Sequence, residues 1–262
     1  MILDSFRLDG CTAFVSGAAG NLNRAMATAL AEAGAHVILN GRRQERLTQF
    51  AAELTACGHS CETACFDMGD FDKVRAYFAV RDRLDVLVNS AISMTPRPFA
   101  ELSEADFSQT YASSVVAAFE ASRAALPALR AAAAVAGEAR IVNIATMYAT
   151  VAPDRRIYSK PEQQSPFHYG PAKAALLQLT RHLAAEFAAE RIRVNALVPG
   201  PFPLPQLRED NPQFADRLAG KTMLGRLGEA HEIAGPLLFL ASRASSYVTG
   251  ACLAVDGGWT AW

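Results

Sequence analysis

Short apolar, β-branched runs alternate along this chain with longer stretches in which apolar residues return every third or fourth position. The runs at 12–16, 36–40, 62–66, 86–89, 140–145, 193–198 and 252–255 read as strands. The stretches at 22–33, 44–56, 71–80, 106–130, 166–189 and 229–241 read as helices. The fifth of these carries a stripe of Leu176, Leu177, Thr180, Leu183, Ala184 and Phe187. Alternation at this spacing predicts right-handed crossovers and a parallel sheet of seven strands, with helices on both faces. The expectation is an α/β, doubly wound single domain over residues 1–262. Two segments break the rhythm, 147–166 and 199–220. Both follow strand C-terminal ends, where open α/β sheets bind ligands, so both are expected to be substrate-side loops.

Composition mainly excludes. Lys and Arg total 25 against 26 Asp and Glu, a net charge of −1, which leaves no field to recruit nucleic acid or an anionic membrane. Hydrophobic residues make up 51% and charged residues 19%, enough apolar material for a large core. No apolar run reaches membrane-spanning length, and the first residues lack a basic segment followed by an apolar one, so a cytoplasmic location is expected. Of the five cysteines, expected to be reduced, Cys57, Cys61 and Cys65 are evenly spaced. Gly58 ends a helix there and 61–66 starts a strand, so the thiols should not converge, and no metal is expected. The five histidines are scattered; His168 is expected to pack or to support the segment before Tyr169.

Candidate chemistry gathers around Tyr169 and Lys173, one helical turn apart on a common face. A free tyrosine ionises near pH ~10 and is a poor base at neutrality. A neighbouring ammonium favours the phenolate, bringing the oxygen toward the range where it exchanges a proton with an alcohol or carbonyl. The first strand ends in a turn containing Gly17 and Gly20 before a helix start. Such a turn admits a pyrophosphate to backbone N–H groups, although this one is no G-x-G-x-x-G and a tight βα turn that binds nothing remains open. At the end of the second strand, where NAD enzymes usually place an acid, the chain has Gly41, Arg42 and Arg43. A guanidinium fork suits a 2′-phosphate, which points to NADP(H); the alternative is a pair of arginines solvating a helix start, more so for Arg43.

The ordered set of motifs resembles the short-chain dehydrogenase/reductase family over essentially the whole length. It comprises the glycine turn at 16–23, Asp67, Asn89-Ser90-Ala91, the stretch 141–146, Tyr169 with Lys173, Arg193-Val194-Asn195, Pro199-Gly200, the segment 224–242 and the tail Val255-Asp256-Gly257-Gly258. The resemblance implies a Rossmann-type fold and an NADP(H)-dependent oxidoreductase that interconverts a carbonyl and a secondary alcohol by hydride transfer. It makes Tyr169 the acid/base, Lys173 the partner that lowers its pKa and bonds the nicotinamide ribose, Thr146 the hydroxyl that polarises the substrate, and Ser114 the holder of a relay water on a kinked helix; Tyr169 and Lys173 thereby also count among the cofactor-binding residues. Gly17, Asn21, Leu22 and Asn23 would face the pyrophosphate and Arg42 a 2′-phosphate. Asp67 and Met68 would sit at the adenine, Asn89 and Ala91 along the middle, and Pro199, Gly200 and Phe202 at the nicotinamide. The remaining implied partner is a small carbonyl or alcohol substrate, and the chain is expected to form a dimer or tetramer.

Several positions depart from the family pattern. Asn21 and Asn23 replace the second and third glycines, Asn23 where a side chain would crowd the turn or the pyrophosphate. Ser114 replaces an asparagine, Ser90 stands where a second asparagine is common, and Pro203 and Leu204 occupy a stretch that often holds a threonine. These departures keep two alternatives open: a weakly active or inactive nucleotide-binding protein on the same fold, and an NAD-linked polyol dehydrogenase. From Thr146 to Tyr169 is 169 − 146 = 23 positions, longer than the family pattern, so a flap is expected at the site's mouth. Arg155, Arg156 and Lys160 could hold a carboxylate or phosphate there or simply form a solvated basic loop, and Tyr148 and Tyr158 could stack on a sugar or pack the flap. The long loop, the Phe-Pro after the Pro-Gly turn and the Trp-containing tail lean toward sugars, polyols or keto acids.

Overall fold

The computed structural model describes residues 1–159, 164–204 and 206–262. Seven strands, β1 (Thr12–Val15), β2 (His36–Gly41), β3 (Cys61–Cys65), β4 (Val86–Asn89), β5 (Ala139–Ile144), β6 (Ile192–Pro199) and β7 (Cys252–Val255), form one wholly parallel sheet in the order 3-2-1-4-5-6-7. Each coincides with a predicted run to within about two residues, the usual scatter at element ends. Parallel strands are covered on both faces, so β1, β4, β5 and β6 are buried almost end to end. From β1 the chain winds outward through β2 and β3, then returns past β1 to β4 and winds the other way. That reversal opens a crevice at the C-terminal ends of β1 and β4.

The helices are α1 (Asn21–Glu32), α2 (Gln44–Ala56), α3 (Phe71–Ala79), α4 (Glu104–Tyr111), α5 (Ala117–Ala136), α6 (Tyr169–Phe187), α7 (Leu207–Asp210), α8 (Pro212–Ala219) and α9 (Ala234–Ala241). On one face of the sheet α1, α2 and α9 bury Met26, Leu30, Leu47 and Leu237; on the other, α3, α5 and α6 bury Val74, Phe78, Leu129 and Phe187. The whole predicted stripe of α6 is buried. A third cluster, Met147, Ile157, Ala215, Leu218, Leu227 and Trp259, joins the segment after β5 to α8 and the C-terminal tail. Among the described residues no helix is long and apolar enough to cross a membrane.

Three expectations are corrected. The single helix over 106–130 is α4 and α5 joined by a π-helical turn at Ala112–Val116, the extra residue displacing the axis between them. Residues 199–220 are not one loop, since they hold α7 and α8. The Asn211 side chain accepts the Phe214 N–H at 3.1 Å and Pro212 sets the first turn of α8, so a cap and an N1 proline start a helix too short to show periodicity. The helix expected at 229–241 opens as a 3-10 turn, Ala230–Ile233, before α9.

Candidate active site

The site is built at the C-terminal end of β5, where α6 begins. A side chain at Gly170 would place its Cβ 2.7 Å from the Tyr148 carbonyl oxygen, so glycine lets the post-β5 segment press against the first turn of α6. That turn carries Tyr169 and Lys173. Lys173 is 3% exposed, and its Nζ donates to the Ile144 carbonyl at 2.7 Å. Burial of the cation pulls its pKa down to about 8. Burial pushes the Tyr169 phenol above its ordinary value, and hydrogen bonding with Thr146 partly opposes that rise. Thr146 follows β5 and starts the 3-10 turn Met147–Ala149 without spending its hydroxyl as a cap. In the resting protein burial outweighs the Thr146 hydrogen bond at the phenol, and the Lys173 ammonium donates one of its N–H groups to the Ile144 carbonyl.

Ser114 lies in the π-helical turn, buried, with no partner for its Oγ among the described residues. It shares a cavity of about 10 Å³ with Asn89 and Lys173. That is room for one water. The Asn89 amide is oriented from behind: its Nδ2 donates to Asn143 Oδ1 at 2.9 Å and to Ser122 Oγ at 3.4 Å. Asn143 Nδ2 in turn donates to Thr180 Oγ1 at 2.9 Å. With the amide nitrogen held, Asn89 Oδ1 is left without a partner among the described residues. The sequence reading missed Asn143 and Thr180; the available signal was a lone amide inside a fully buried strand.

In the crevice between β1 and β4, Gly17 adopts φ +66°. Ser16 Oγ accepts the backbone N–H groups of Ser90 and Ala91 at 2.8 and 3.0 Å. The Asn23 side chain folds back into the turn: Nδ2 donates to Gly17 O at 2.8 Å and to Ser16 O at 3.4 Å, and Oδ1 accepts from Ser90 Oγ at 2.7 Å. Its polar atoms are thus satisfied inside the protein. Asn21 and Leu22 open α1 behind Gly20, which supplies no side-chain cap, so the first N–H groups of the helix have no side-chain acceptor. Arg42, exposed beyond β2, lies 3.6 Å from Asp67 Oδ2, while Asp67 Oδ1 accepts the Gly69 N–H at 2.9 Å. Asn40, also missed, donates to Ala64 O and Phe66 O at 3.0 and 3.1 Å and fixes the ends of β2 and β3 to each other. The Met68 side chain is buried in the core and reaches this region only as a wall of the small cavity. Pro199 ends β6, and a Cβ on Gly200 would stand 2.5 Å from Asp256 Cα, so this turn is pressed against the tail. The Phe202 ring lies on Gly228 and lines a separate cavity of about 370 Å³ with Thr222 and Asp256.

The segment after β5 is tied down over its described part. Asp154 accepts from Arg156 at 2.8 Å and from Lys221 at 2.9 Å, and the Arg156 pair above all holds its carboxyl well below the usual range. Arg217 donates to Ile157 O and Ser159 Oγ, both at 2.7 Å. The Tyr148 and Tyr158 hydroxyls meet at 2.8 Å, with the Tyr148 ring edge-on to Trp259 and the Tyr158 ring against Phe214. Of the three candidate anion-holding cations, Arg156 is engaged by Asp154, Arg155 bonds Gln164 at 3.2 Å, and Lys160 lies outside the described residues. A cavity of about 690 Å³ is walled by Tyr148, Arg155, Tyr158, Phe167 and Gly170. It touches α6 through Gly170, Pro171 and Ala174, beside the turn that carries Tyr169, and neither Tyr169 nor Thr146 lines it. His168 is fully buried against the Phe107 ring, and burial lowers its pKa. Among the described residues no three His, Cys, Asp or Glu side chains gather as a metal site.

A catalytic-type Tyr/Lys/Thr set and a glycine turn therefore share one edge of the sheet. A family model described as enoyl-(acyl carrier protein) reductase matches residues 17–260. The chain belongs to the short-chain dehydrogenase/reductase family. This short-chain dehydrogenase/reductase is 38% identical to the galactitol 2-dehydrogenase (L-tagatose-forming) of Cereibacter sphaeroides over 262 residues, 98% of each chain. It is 33% identical to the gluconate 5-dehydrogenase of Gluconobacter oxydans (strain 621H), covering 98% of this chain and 97% of that one. A gluconate 5-dehydrogenase from Burkholderia cenocepacia J2315, solved in complex with NADP and tartrate, superposes with a TM-score of 0.87 at 30% identity, over 100% of both chains. Membership makes the protein an oxidoreductase of alcohol and carbonyl groups.

Proposed function

We propose that this short-chain dehydrogenase/reductase uses NADP(H) to interconvert a secondary alcohol and a carbonyl on a polyol, sugar or sugar acid. The observation that carries the reading is the meeting of Tyr169, Thr146 and Lys173 at the sheet edge that also holds the Gly17 turn. The crevice fits a dinucleotide: α1 begins without a side-chain cap, Asn23 turns its amide inward, and Asn89 keeps a free acceptor. Gly17, Asn21, Leu22 and Asn23 would line the pyrophosphate, Arg42 the 2′-phosphate, Asp67 and Met68 the adenine, Asn89 and Ala91 the middle, and Pro199, Gly200 and Phe202 the nicotinamide end. When bound, the cofactor gives or takes the hydride at the substrate carbon.

The chain's own groups handle the oxygen and its proton. Thr146 donates to the substrate oxygen and fixes its position. Tyr169, its pKa raised by burial, carries its proton at neutrality and is poised as the acid in carbonyl reduction. In the reverse direction that proton must return to Tyr169, and the Lys173 ammonium supports the transient phenolate. Behind Lys173, a water in the 10 Å³ cavity would link Ser114 Oγ and Asn89 Oδ1, giving the proton a route inward. The Tyr148–Tyr158 hydroxyl pair and Arg155 suit a hydroxylated or acidic substrate, in keeping with the galactitol and gluconate dehydrogenases among its relatives.

The test is NADPH binding, followed by oxidation of the bound cofactor with a panel of keto-sugars, keto acids and simple ketones, for wild type and Tyr169→Phe. Turnover on the panel that Tyr169→Phe abolishes, with NADPH binding kept, supports the reading. Retained turnover in Tyr169→Phe, or binding with no turnover on any carbonyl, refutes it.

A further inference from the structure

Asn23 and Ser90 each look like a defect when set against a motif separately. Asn23 puts a side chain where the family pattern has glycine, and Ser90 shortens a common asparagine. In the folded chain the two residues, 67 positions apart, are hydrogen-bonded at 2.7 Å. Asn23 also holds Gly17 O and Ser16 O, and Ser16 Oγ holds the backbone N–H groups of Ser90 and Ala91. One closed set of bonds thus spans the crevice between β1 and β4, joining the glycine turn to the segment after β4. Space is tight: a Cβ on Gly17 would lie 3.1 Å from Asn23 Nδ2 and 3.6 Å from Ala91 Cα. Asparagine in place of serine at 90 would add a longer side chain to this space, and glycine at 23 would leave the Gly17 carbonyl without its amide partner.

We propose that Asn23 and Ser90 form a reciprocal clasp, a positioning pair that holds the two walls of the cofactor crevice at one spacing for the dinucleotide bridge. The inference rests on the NADP(H) reading above. Neither residue needs to touch the cofactor's reacting atoms. Their effect is preorganisation: a crevice held open at the right width loses less freedom when the nucleotide binds. The clasp should matter for a ligand that spans both walls and not for one that occupies only the Arg42 and Asp67 end.

Two ligands separate these cases, NADPH and adenosine 2′-monophosphate, each titrated by calorimetry against wild type, Asn23→Ala, Ser90→Ala and the double variant. Removing one partner of a half-buried hydrogen bond such as this one costs about 1 kcal/mol, which in affinity is up to about tenfold. Each single variant should therefore bind NADPH about tenfold more weakly while binding the 2′-monophosphate within about twofold of wild type. The double variant should be no worse than the weaker single, because one removal already breaks the pair. Asn23→Gly should weaken NADPH and Asn23→Gly with Ser90→Asn should recover it, since the longer amide can reach Gly17 from the other wall. Melting temperatures of the cofactor-free variants identify general destabilisation, which would weaken both ligands together. Single variants that leave NADPH affinity unchanged, losses that multiply in the double variant, or equal weakening of both ligands would each overturn the clasp. Wild-type protein that binds neither ligand overturns both the clasp and the cofactor assignment. Binding that follows the clasp pattern without turnover on any carbonyl supports the clasp and removes only the catalytic reading.

Discussion

Replacing Lys173 with methionine keeps most of the aliphatic stem and removes the buried cation. Burial moves this amine from an ordinary 10.5 to about 8, a change of about 10.5 − 8 = 2.5 pH units. At about 1.36 kcal/mol per unit, that is roughly 3 kcal/mol by which folding favours the neutral form over the charged one. The unfolded chain keeps the proton up to about 10.5, whereas the native protein releases it near 8. Between these values the unfolded state binds more protons, so rising pH stabilises the native state; below 8 both states are protonated and the full cost of the buried charge remains. Urea unfolding of wild type and Lys173→Met across this range isolates the effect, because other lysines and tyrosines largely cancel in the difference. From pH 8 to about 9.5, before most tyrosines titrate, wild type should gain about 2 kcal/mol on the variant. Curves that run parallel over that interval would show that the amine keeps an ordinary pKa and would refute the reasoning.

Arg42→Ala should weaken NADPH about 10- to 100-fold, the value of a charge-assisted phosphate contact, and leave NADH within about twofold; paired calorimetric titrations decide it. Asn143→Leu removes the shared partner of the Asn89 amide and the Thr180 hydroxyl, which keep their bonds to Ser122 and to the Leu176 carbonyl, so urea unfolding should show a loss of about 1–3 kcal/mol. Asp154→Asn releases Arg156 and Lys221 from one carboxylate and should speed proteolysis in the segment after β5 while raising substrate KM more than it lowers kcat. Unchanged digestion would show that the apolar cluster and the Arg217 bonds hold that segment without Asp154.

The sheet was legible because parallel strands are buried on both faces and read as continuous apolar runs. The α6 face was legible because a stripe over 19 residues outweighs local exceptions. Features set by one or two side chains were not. The π-helical turn at 112–116 leaves no gap in the apolar pattern, and Ser113 in it exchanges two bonds with Ser93, donating to its carbonyl at 2.8 Å and accepting its N–H at 3.0 Å. α8 is too short for periodicity, and its Asn211-Pro212 start was the readable sign. Tyr169, Lys173 and Thr146 were identified by type and order, but their electrostatics depend on burial and on the Ile144 carbonyl, which no motif records. Asn23 and Ser90 looked like losses because a linear pattern judges each position alone.

Both tryptophans of the chain lie within its last four residues. Trp259 packs in the cluster that joins the post-β5 segment to α8, edge-on to Tyr148, and the Trp262 indole donates to the Lys221 carbonyl at 3.2 Å. Intrinsic indole emission therefore samples one corner of the molecule and is blind to the rest. Its spectrum is a built-in optical gauge of how the post-β5 segment, α8 and the tail pack together, readable by stopped flow without any attached dye.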